Sequence, residues 1–483
     1  MKWSDRQLAI FDAYENTRKN IAIEATAGSS KTTCIVECCR RTPPNKKVLF
    51  MAFNKSIAEE LRERLPSHID VNTFHSKGLR VLLSNFRIKP KINENKCFVI
   101  GKKILETKDM DVKQQIRYLF EIQIIWNYIR VNLITDYEKE IPGICIEKNI
   151  EFQERMVGDM EQIRNAWHKE MKKINSVKEI NIDFTDMLYF PYQLLDSEDF
   201  PKYDIVTLDE QQDANTLQKE LALRYIKKSG RFVVVGDSRQ CIYGFQGSSL
   251  EVFKSLQSYP NTIVLPLDIT YRCGKNIVEE ARKVFDNGIV AAPNAIDGIV
   301  RKGEFDEAEN GDFILCRNNL PLATVFLYLL EMGKKATIKG KEYGDALVAL
   351  VDKIKYIEDL DAMCEKKISE LKERGLTDIQ AKNNPSYVAF LEKCTILKIL
   401  YKNWGDMKKL EDNIKEIYKD DTEGIVLSTI HKSKGLEADR VFLLNRSLIP
   451  SKYANTEEAL YNEKCLLFVA ITRARKELVY CNV

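Results

Sequence analysis

Short apolar runs rich in β-branched residues recur along the chain, and each is followed by a stretch with the character of a helix. A strand that is buried on both faces reads as a continuous apolar run, because neither face has to be polar. Short apolar strands that alternate with helices therefore predict an α/β fold, with parallel sheets that helices cover on both sides. The predicted strands are Ile21–Ile23, Val48–Met51, Ile205–Leu208, Phe232–Val235, Ile263–Leu265, Phe313–Leu315, Ala336–Lys339, Ile425–Thr429, Val441–Leu444 and Leu478–Cys481.

Two long segments interrupt this alternation, and both read as helices with many charged residues of alternating sign, which is typical of solvated helix surfaces. A hydrophobic core stops growing at about 250–300 residues, so a chain of 483 residues is expected to form several domains. We predict two α/β domains, each carrying a mainly helical insertion. Residues 1–76 and 181–265 form the first around the insertion 77–180, and residues 266–340 and 422–483 form the second around the insertion 341–421.

The composition is that of a soluble globular protein, with 44% hydrophobic and 30% charged residues. The formal net charge is only +3, so any affinity for nucleic acid has to come from local patches. No apolar run approaches the roughly 18 residues of a membrane span, and the N-terminus lacks the apolar centre of a signal peptide. We expect a cytoplasmic protein, associated with the nucleoid or acting in the host cytoplasm of a virus, or a nuclear protein in a eukaryote.

Twelve cysteines raise the question of a metal site or of disulfides. They are scattered along the chain without any CxxC pair, and the chain has only four histidines. Metal sites and disulfide frameworks need closer and more regular spacing. We therefore expect reduced cysteines that serve as small apolar residues.

The stretch Glu24–Thr33, EATAGSSKTT, lies between an apolar strand and a helix-like stretch, which is the setting of a phosphate-binding loop. In such a loop the backbone N–H groups face phosphate oxygens, Lys31 reaches the terminal phosphates and the Thr32 hydroxyl ligates Mg²⁺. Gly28 supplies one flexible position, but Ser30 stands where the pattern has glycine, and its Cβ restricts positive φ. On the loop alone, a Ser/Thr-rich turn that caps a helix explains the residues about as well.

A second candidate element is VTLDEQQD, in which Asp209 and Glu210 follow a hydrophobic strand. Ligands of α/β proteins bind at the carboxyl ends of parallel strands. Asp209 would hold Mg²⁺, and Glu210 would orient and deprotonate an attacking water. An acidic turn after a strand is common, but its combination with GSSKT favours a nucleotide site as the explanation of both.

With these two elements in place, further motifs resemble the UvrD/Rep family of superfamily 1 DNA helicases, nearly end to end and in the family's order. The sequence AFNKS is most similar to the corresponding motif of the F-box helicase branch. The motifs are SDRQLAIFDA, VLFMAFNKSIAEEL, VNTFHSKGL, IDFTDML, DEQQDAN, VVVGDSRQCIYGFQG, LDITYRC, VLSTIHKSKGLEADRVFLLN and NEKCLLFVAITRARKEL.

The resemblance implies two RecA-like P-loop NTPase domains, with ATP and Mg²⁺ bound in the cleft between them. It implies a catalytic set in which the two arginines act on the γ-phosphate: Lys31, Asp209, Glu210, Gln240, Arg272 and Arg473. Thr32 and Asp209 would hold Mg²⁺, Gln7 would read the adenine, Tyr271 would stack on it and Glu437 would contact the ribose. The full nucleotide set is Gln7, Ala25, Thr26, Ala27, Gly28, Ser29, Ser30, Lys31, Thr32, Thr33, Tyr271, Arg272, Glu437 and Arg473.

The resemblance also implies a track for single-stranded DNA and for junctions between single and double strands. Bases that stack on aromatic rings gain about 1–3 kcal/mol each without regard to sequence, which suits a translocase. The implied DNA contacts are Phe53, Asn54, Lys55, Phe74, His75, Tyr243, Phe245 and His431. Trp126 and Tyr128, in the first insertion, are expected to lie in the core. We expect a monomeric motor.

Three positions depart from the family pattern. Ser30 replaces a glycine, Thr33 stands where relatives often carry an arginine that sandwiches the adenine, and Gln246 replaces an arginine that follows the stacking aromatic residue. The second insertion is short for the family.

The leading hypothesis is an ATP-dependent DNA helicase and translocase that moves 3′→5′ on single strands. Ser30 and Thr33 motivate an alternative, a DNA-binding protein with a relic nucleotide site that does not hydrolyse ATP. The short second insertion motivates a third hypothesis, an ATPase that translocates but barely separates duplexes. The sequence leaves open whether such a motor serves repair, replication restart, recombination control or a viral genome.

Overall fold

Two parallel β-sheets organise the chain, one in each of two units. The computed structural model describes residues 3–105, 110–148, 150–242, 250–286, 288–373, 376–419, 423–454 and 456–483. The N-terminal unit comprises Met1–Thr26 and Ser30–Asp268. The C-terminal unit comprises Ala27–Ser29 and Ile269–Val483.

The N-terminal unit alternates strands and helices along most of its length. Its strands are β1 (Asn20–Ala25), β2 (Val48–Ala52), β3 (Ile69–Thr73), β4 (Lys89–Ile92), β5 (Glu179–Ile182), β6 (Tyr203–Leu208), β7 (Ile226–Gly236) and β8 (Thr262–Leu267). Its helices are α1 (Asp5–Asn16), α2 (Lys31–Arg40), α3 (Lys55–Arg64), α4 (Phe74–Asn85), α5 (Lys96–Ile104), α6 (Val112–Asn132), α7 (Tyr137–Glu147), α8 (Arg155–Lys172), α9 (Asp186–Leu194), α10 (Thr216–Arg224) and α11 (Leu250–Gln257).

The main sheet of the N-terminal unit has the strand order β3-β2-β6-β7-β1-β8, and its described pairings are all parallel. Successive residues of β1 enter different hydrophobic layers. Ile21 and Ile23 pack in the layer that contains Ile35 of α2, whereas Ala22 packs in the layer that contains Trp126 of α6. Because both faces of the sheet are covered, its inner strands are apolar on both sides.

The C-terminal unit repeats this architecture. Its strands are β9 (Ile269–Thr270), β10 (Val290–Ala291), β11 (Ile299–Lys302), β12 (Phe313–Cys316), β13 (Ala336–Lys339), β14 (Tyr418–Lys419), β15 (Ile425–Thr429), β16 (Ala438–Leu444) and β17 (Ala474–Cys481). Its helices are α12 (Lys275–Arg282), α13 (Asn319–Glu331), α14 (Lys341–Val351), α15 (Asp359–Lys372), α16 (Asp378–Asn383), α17 (Pro385–Trp404), α18 (Met407–Ile417) and α19 (Glu457–Ile471).

The main sheet of this unit has the order β11-β17-β16-β12-β15-β13-β14, again parallel in each described pairing. Residues of α13 and of the helices between β13 and β14 share one core, which includes Phe326 and Leu397. Local sequence sets the ends of the long helix α17. Asn384 caps its start by accepting from the Ser386 N–H, and Gly405, with φ 64°, ends it.

Every apolar run that the sequence predicts as a strand lies within an observed strand, and the α/β fold with two parallel sheets is confirmed. The prediction misses the edge strand β3, whose sequence IDVNT mixes apolar and polar residues, and the shorter strands β4, β5, β9, β10, β11 and β14. Helices α5 to α8 fall between residues 77 and 180, and α14 to α18 fall between residues 341 and 421. The boundaries of the two insertions stay predictions.

Buried charges connect the residues after β5 to the helices α5, α6 and α8. The guanidinium of Arg130 donates to Asp183 at 2.6 and 2.9 Å and to Asp186 at 2.8 Å. The Asp186 carboxylate also accepts from Lys96 Nζ at 2.5 Å and from Trp167 Nε1 at 2.8 Å. All five side chains are buried. Two cations face two carboxylates, so the cluster is neutral, as charge burial requires.

The cysteines behave as small apolar residues. All twelve lie in the described ranges, where each is buried and carries a free thiol. Trp126 is buried as expected, and Tyr128 is half-buried against the same core. Among the helices that the structure describes, none combines the length and the apolar character needed to cross a membrane.

We predict that Asp186→Ala destabilises the N-terminal unit by about 3–5 kcal/mol, because the substitution leaves Lys96 and Arg130 with excess buried positive charge. Thermal unfolding followed by circular dichroism should show a lower midpoint. Glu179→Ala is the matched control, since Glu179 pairs with Lys89 at 3.9 Å on the surface, where a pair contributes about 0–1 kcal/mol. Equal midpoints for the two variants would show that the buried cluster does not stabilise the fold.

Candidate nucleotide site and nucleic-acid contacts

The loop between β1 and α2 is the predicted phosphate-binding loop. β1 is an inner strand between β7 and β8, and α2 begins at Lys31. Gly28 and Ser30 both have left-handed backbone conformations, with φ of 68° and 63°. Ser30 thus adopts the conformation for which the pattern has glycine, at a cost of roughly 1–2 kcal/mol for a residue with a Cβ. The loop residues Ala25, Thr26, Ala27 and Ser29 are buried, and Thr33 is half-buried.

Polar contacts join the start of α2 to the end of β6. Lys31 Nζ lies 3.3 Å from Glu210 Oε2, and the Thr32 hydroxyl donates to Asp209 Oδ2 at 2.8 Å. The other oxygen of Asp209 accepts from the Glu210 N–H at 2.8 Å. Glu210 has a left-handed backbone with φ 50°, which is uncommon outside glycine. The structure therefore brings these four predicted site residues together within one unit.

Carboxylates dominate the electrostatics around Lys31. Burial alone would lower the pKa of Lys31, but the negative charges of Glu210, Asp237 and Asp209 outweigh it and raise that pKa. Burial, followed by the charge of Glu210, raises the pKa of Asp209 to about 6, against the opposing effects of Lys31 and Thr32. Lys31 therefore stays protonated at neutral pH, within a group of side chains that is rich in negative charge.

The residues after β7 are connected to Glu210 through side-chain hydrogen bonds. Gln212 Nε2 donates to Glu210 Oε2 at 2.6 Å, and Gln212 Oε1 accepts from the Asp237 N–H at 2.9 Å. The Asp237 carboxylate accepts from Gln240 Nε2 at 2.6 Å and from Arg239 Nε at 2.9 Å. Gln240 is thus linked to Glu210 by a continuous series of hydrogen bonds.

Glu24 is a residue of this region that the sequence prediction omits. One of its carboxylate oxygens accepts from the Ser238 N–H at 3.1 Å and from the Ser238 hydroxyl at 2.7 Å. The other oxygen accepts from Gln257 Nε2 at 2.5 Å. Burial raises the pKa of Glu24, although the bonds from Ser238 oppose the rise. A carboxylate within the otherwise apolar run IAIEA is the signal that could have indicated it.

Gln7 has a structural role that its sequence motif does not reveal. Its side-chain oxygen accepts from the Ser4 N–H at 3.0 Å, and its own N–H donates to Ser4 Oγ at 3.3 Å. This reciprocal pair is a capping box at the start of α1. The capping contacts account for one end of the Gln7 amide, and contact of the other end with adenine stays a prediction.

In the C-terminal unit, Arg272 and Glu437 form an ion pair. Arg272 Nε donates to Glu437 Oε2, and Arg272 Nη1 donates to the Thr472 carbonyl at 3.2 Å. Arg475 Nη1 lies 3.5 Å from the other oxygen of Glu437. The neighbouring side chain of Tyr271 is exposed, as a ring that stacks on a base has to be.

Arg473, the other predicted arginine of the site, is fully buried. Its Nε donates to the Val469 carbonyl at 3.0 Å, and its Nη1 donates to the Leu436 carbonyl at 2.9 Å. In this conformation the guanidinium holds the end of α19 against the loop after β15. Contact of Arg272 and Arg473 with a γ-phosphate stays a prediction.

The aromatic residues of the predicted DNA track differ in exposure. Phe53 is exposed, whereas Phe74 is only 7% exposed and packs in the core, so contact of Phe74 with a base stays a prediction. Phe74 begins α4 and shares the buried face of that helix with Val81 and Leu82, which explains its inward direction. The next side chain, His75, is exposed and meets another aromatic ring.

That ring belongs to Phe184, which the sequence prediction omits. Its centroid lies 6.3 Å from that of His75 in an edge-to-face arrangement, and its side chain is 50% exposed. Phe184 directly follows Asp183, a member of the buried charge cluster, which fixes the backbone on which the ring stands. An exposed ring on a well-anchored segment is suited to stacking against a base.

Asn54 and Lys55 lie at the start of α3. The Asn54 side chain caps the helix by accepting from the Ile57 N–H at 2.9 Å. The Lys55 side chain is exposed, with its Nζ 3.7 Å from Glu59. Lys55 is therefore accessible to a DNA phosphate. The side-chain oxygen of Asn54, in contrast, already accepts the capping hydrogen bond.

His431 follows β15 and is half-buried. Burial, followed by the positive charges of Arg317 and Lys434, lowers the pKa of His431 to about 4. The imidazole is therefore neutral at pH 7, and it could meet a phosphate only as a hydrogen-bonding group. Tyr243 and Phe245, together with the departure at Gln246, lie outside the described residues.

Two family models match the chain. The model of the UvrD/REP helicase N-terminal domain matches residues 6–260, and the model of the UvrD-like helicase C-terminal domain matches residues 161–482. Each model covers more than half of the chain, and together they extend over nearly all of it.

Individual relatives are similar at low identity. The chain is 24% identical over 518 residues to F-box DNA helicase protein 1 of Schizosaccharomyces pombe, with 99% of this chain and 57% of the relative covered. It is 23% identical over 488 residues to F-box DNA helicase 1 of Gallus gallus, with 95% and 47% covered. It is 22% identical over 626 residues to ATP-dependent DNA helicase Rep of Buchnera aphidicola, with 97% and 94% covered. The chain thus spans about half the length of the two F-box relatives. The matches and the arrangement of the loop, Asp209 and Glu210 agree: the chain belongs to the UvrD/Rep helicase family.

Proposed function

We propose that the protein is an ATP-dependent DNA helicase and translocase that moves 3′→5′ on single-stranded DNA. The observation that supports it best is the arrangement of Lys31, Thr32, Asp209 and Glu210 at one edge of a parallel sheet. A lysine, a hydroxyl and two carboxylates beside a phosphate-binding loop are the groups that hydrolysis of a nucleoside triphosphate uses. Similar proteins are named as DNA helicases, and the direction of movement follows from the resemblance to their family.

Phosphate binding would fall to the loop and to Lys31. The first N–H groups of α2 favour an anion, because the N-terminus of a helix carries partial positive charge. Lys31 is charged. On nucleotide binding it would leave its ion pair with Glu210 and bind a terminal phosphate oxygen instead. The Thr32 hydroxyl and the Asp209 carboxylate, 2.8 Å apart, are hard oxygen donors that fit Mg²⁺, which would neutralise charge on the phosphates.

Glu210 is the residue placed to activate water. Glu210 lies two residues after the end of β6, and its left-handed backbone directs the carboxylate to the side of Lys31. The bond from Gln212 at 2.6 Å orients the carboxylate independently of Lys31. A carboxylate held in this way can accept a proton from a water that attacks the γ-phosphate.

The hydrogen-bond series from Glu210 through Gln212 and Asp237 to Gln240 would couple hydrolysis to DNA. A change at Glu210 when the γ-phosphate leaves would reach Gln240 through this series. Glu24 strengthens it, because it holds Ser238, the residue between Asp237 and Arg239, against the strand that carries the phosphate-binding loop. We assign Glu24 as a positioning residue for Gln240.

DNA would be held by exposed aromatic rings and by a lysine. Phe53, His75 and Phe184 are exposed in the N-terminal unit, and Lys55 adds a positive charge for the backbone. Ring stacking does not depend on base identity, so a strand can move past these side chains with little loss at any one step.

The alternative of a relic nucleotide site rests on Ser30 and Thr33. Ser30 adopts φ 63°, the conformation otherwise favoured by glycine, and this argues against decay at that position. The Lys31, Thr32, Asp209 and Glu210 side chains also keep the polar contacts that a working site needs. Hydrolysis is therefore the better supported function.

We expect Lys31→Ala to lower ATP turnover in the presence of single-stranded DNA by at least about 100-fold, because it removes a cation that stabilises charge in the transition state. Turnover should be measured with single-stranded DNA, duplex DNA and RNA side by side. Lys46→Ala, an exposed lysine of the same unit, is the control and should keep the wild-type rate. Equal rates for wild type and Lys31→Ala would favour the DNA-binding protein that does not hydrolyse ATP.

The direction can be tested by strand displacement on duplexes with a 3′ or a 5′ single-stranded tail. We expect ATP-dependent displacement from the 3′ tail only. Displacement from the 5′ tail alone would overturn the proposed direction. A translocation assay on single strands should run in parallel, because translocation without displacement would support the third hypothesis, an ATPase that barely separates duplexes.

For Glu24, we expect Glu24→Leu to lower DNA-stimulated ATP turnover on the order of tenfold, equivalent to about 1.4 kcal/mol in the barrier. The substitution removes the acceptor for Ser238 and Gln257. Glu24→Gln should retain most activity, since an amide still accepts from Ser238. Because burial raises the pKa of Glu24, the charged form is disfavoured in the folded state, so Glu24→Gln should not lower stability at neutral pH. Equal losses in the two variants would contradict a positioning role through hydrogen bonds.

A further inference from the structure

Helix α6 exposes apolar side chains at every fourth position. The exposed fractions are 70% for Val112, 44% for Ile116, 48% for Phe120 and 47% for Ile124. Residues four apart lie one above the other on a helix, so the four side chains form a single row. Soluble proteins rarely leave such a continuous apolar surface uncovered without an interaction that uses it.

The core does not account for this row, because the other side of α6 already supplies the core. Leu119, Ile122, Ile125, Trp126 and Ile129 are fully or almost fully buried. A helix needs one apolar side to pack on its domain, and its outer side is normally polar. The exposed row is therefore a second apolar side of the same helix.

Helix α5 extends the apolar surface sideways. The Phe98 ring lies 5.2 Å from the Phe120 ring, and the adjacent Val99 is exposed. We name the surface made by Val99, Val112, Ile116, Phe120 and Ile124 the α5/α6 ridge.

The form of the ridge fits a helix. A row of residues spaced by four is one of the two ridges that pack into the grooves of a second helix. From Val112 to Ile124 the row rises by about 18 Å at the ~1.5 Å per residue of an α-helix, which matches roughly three turns of a partner helix.

The border of the ridge on the α5 side is basic. Lys102 and Lys103 are exposed on α5, four residues after Phe98 and Val99 respectively, so they lie beside the apolar surface. Among the described residues, neither lysine has an ion-pair partner. On α6 itself, Arg117 and Glu121 pair with each other at 2.6 Å and largely cancel. Two exposed carboxylates lie at the ends of the ridge, Glu94 before α5 and Asp111 before Val112.

We propose that the α5/α6 ridge binds an amphipathic helix of a partner protein, with apolar residues at four-residue spacing and acidic residues beside them. A second copy of this chain fits less well, because a symmetric contact would bring the basic borders together. Single-stranded DNA also fits less well, because three of the four side chains of the α6 row are aliphatic and offer no ring for a base.

The probe for this proposal is a fluorescein-labelled helical peptide of about 20 residues, with leucine at every fourth position and glutamate on both sides of the leucine row. A matched peptide carries lysine in place of glutamate. Fluorescence anisotropy should show that the acidic peptide binds the wild-type protein at least about tenfold more tightly than the basic peptide. Ile116→Asp and Phe120→Asp should each weaken binding of the acidic peptide by at least about tenfold.

Two control variants make the test specific. Ile379→Asp changes an apolar residue of the C-terminal unit that is more exposed than Ile116 or Phe120, and this variant should bind like wild type. Lys102→Glu combined with Lys103→Glu should reverse the preference between the two peptides. All substituted residues are exposed, so the variants should fold, and their melting temperatures will show it.

Three results would overturn the proposal. The first is equal binding of the acidic peptide by wild type and the Ile116→Asp and Phe120→Asp variants. The second is a concentration-dependent dimer in sedimentation that these variants abolish, which would assign the ridge to a second copy. The third is a loss of affinity for single-stranded DNA in the same variants without an effect on the peptide. ATP turnover is measured separately, so failure here leaves the proposed function untouched.

Discussion

The carboxyl ends of three neighbouring parallel strands, β6, β7 and β1, form the edge on which the candidate site depends. The register pairs Ile23 with Val235, so β1 and β7 end nearly level, and the phosphate-binding loop and Asp237 leave the sheet side by side. A separation of 177 residues between Thr32 and Asp209 thereby becomes a hydrogen bond of 2.8 Å. The sheet fixes this distance firmly, because a slip of one residue in register would turn every buried side chain to the other face.

Two groups of charged side chains in the N-terminal unit differ in charge balance, and the difference separates a structural role from a functional one. In the cluster of α5, α6 and α9, two cations face two carboxylates, so the charges need no further partner. At the edge of the sheet, three carboxylates face one lysine and one arginine, and the remaining negative charge favours an additional cation. The first group is Lys96, Arg130, Asp183 and Asp186, and the second is Lys31, Arg239, Asp209, Glu210 and Asp237.

The strands and the turn between β1 and α2 could be predicted because their signals are local. An apolar run buried on both faces is recognisable residue by residue, and Lys31 and Thr32 follow such a run at a fixed spacing. The direction of a side chain at the start of a helix cannot be predicted from local sequence. Phe74 points into the core and His75 stays exposed, because the packing of α4 determines which side of the helix is buried. Glu24 stands out as a carboxylate within an apolar run, but its role is not local, because its hydrogen-bond partners lie 214 and 233 residues further along the chain.

The two arginines of the C-terminal unit already donate hydrogen bonds, so contact with a phosphate would be an exchange of acceptors. Arg473 would give up neutral backbone carbonyls for a charged oxygen, and charge-assisted bonds are roughly twice as strong as neutral ones. Arg272 would exchange the carboxylate of Glu437 for a phosphate, which gains less because both acceptors are charged. The predicted response to the γ-phosphate would therefore rest mainly on Arg473.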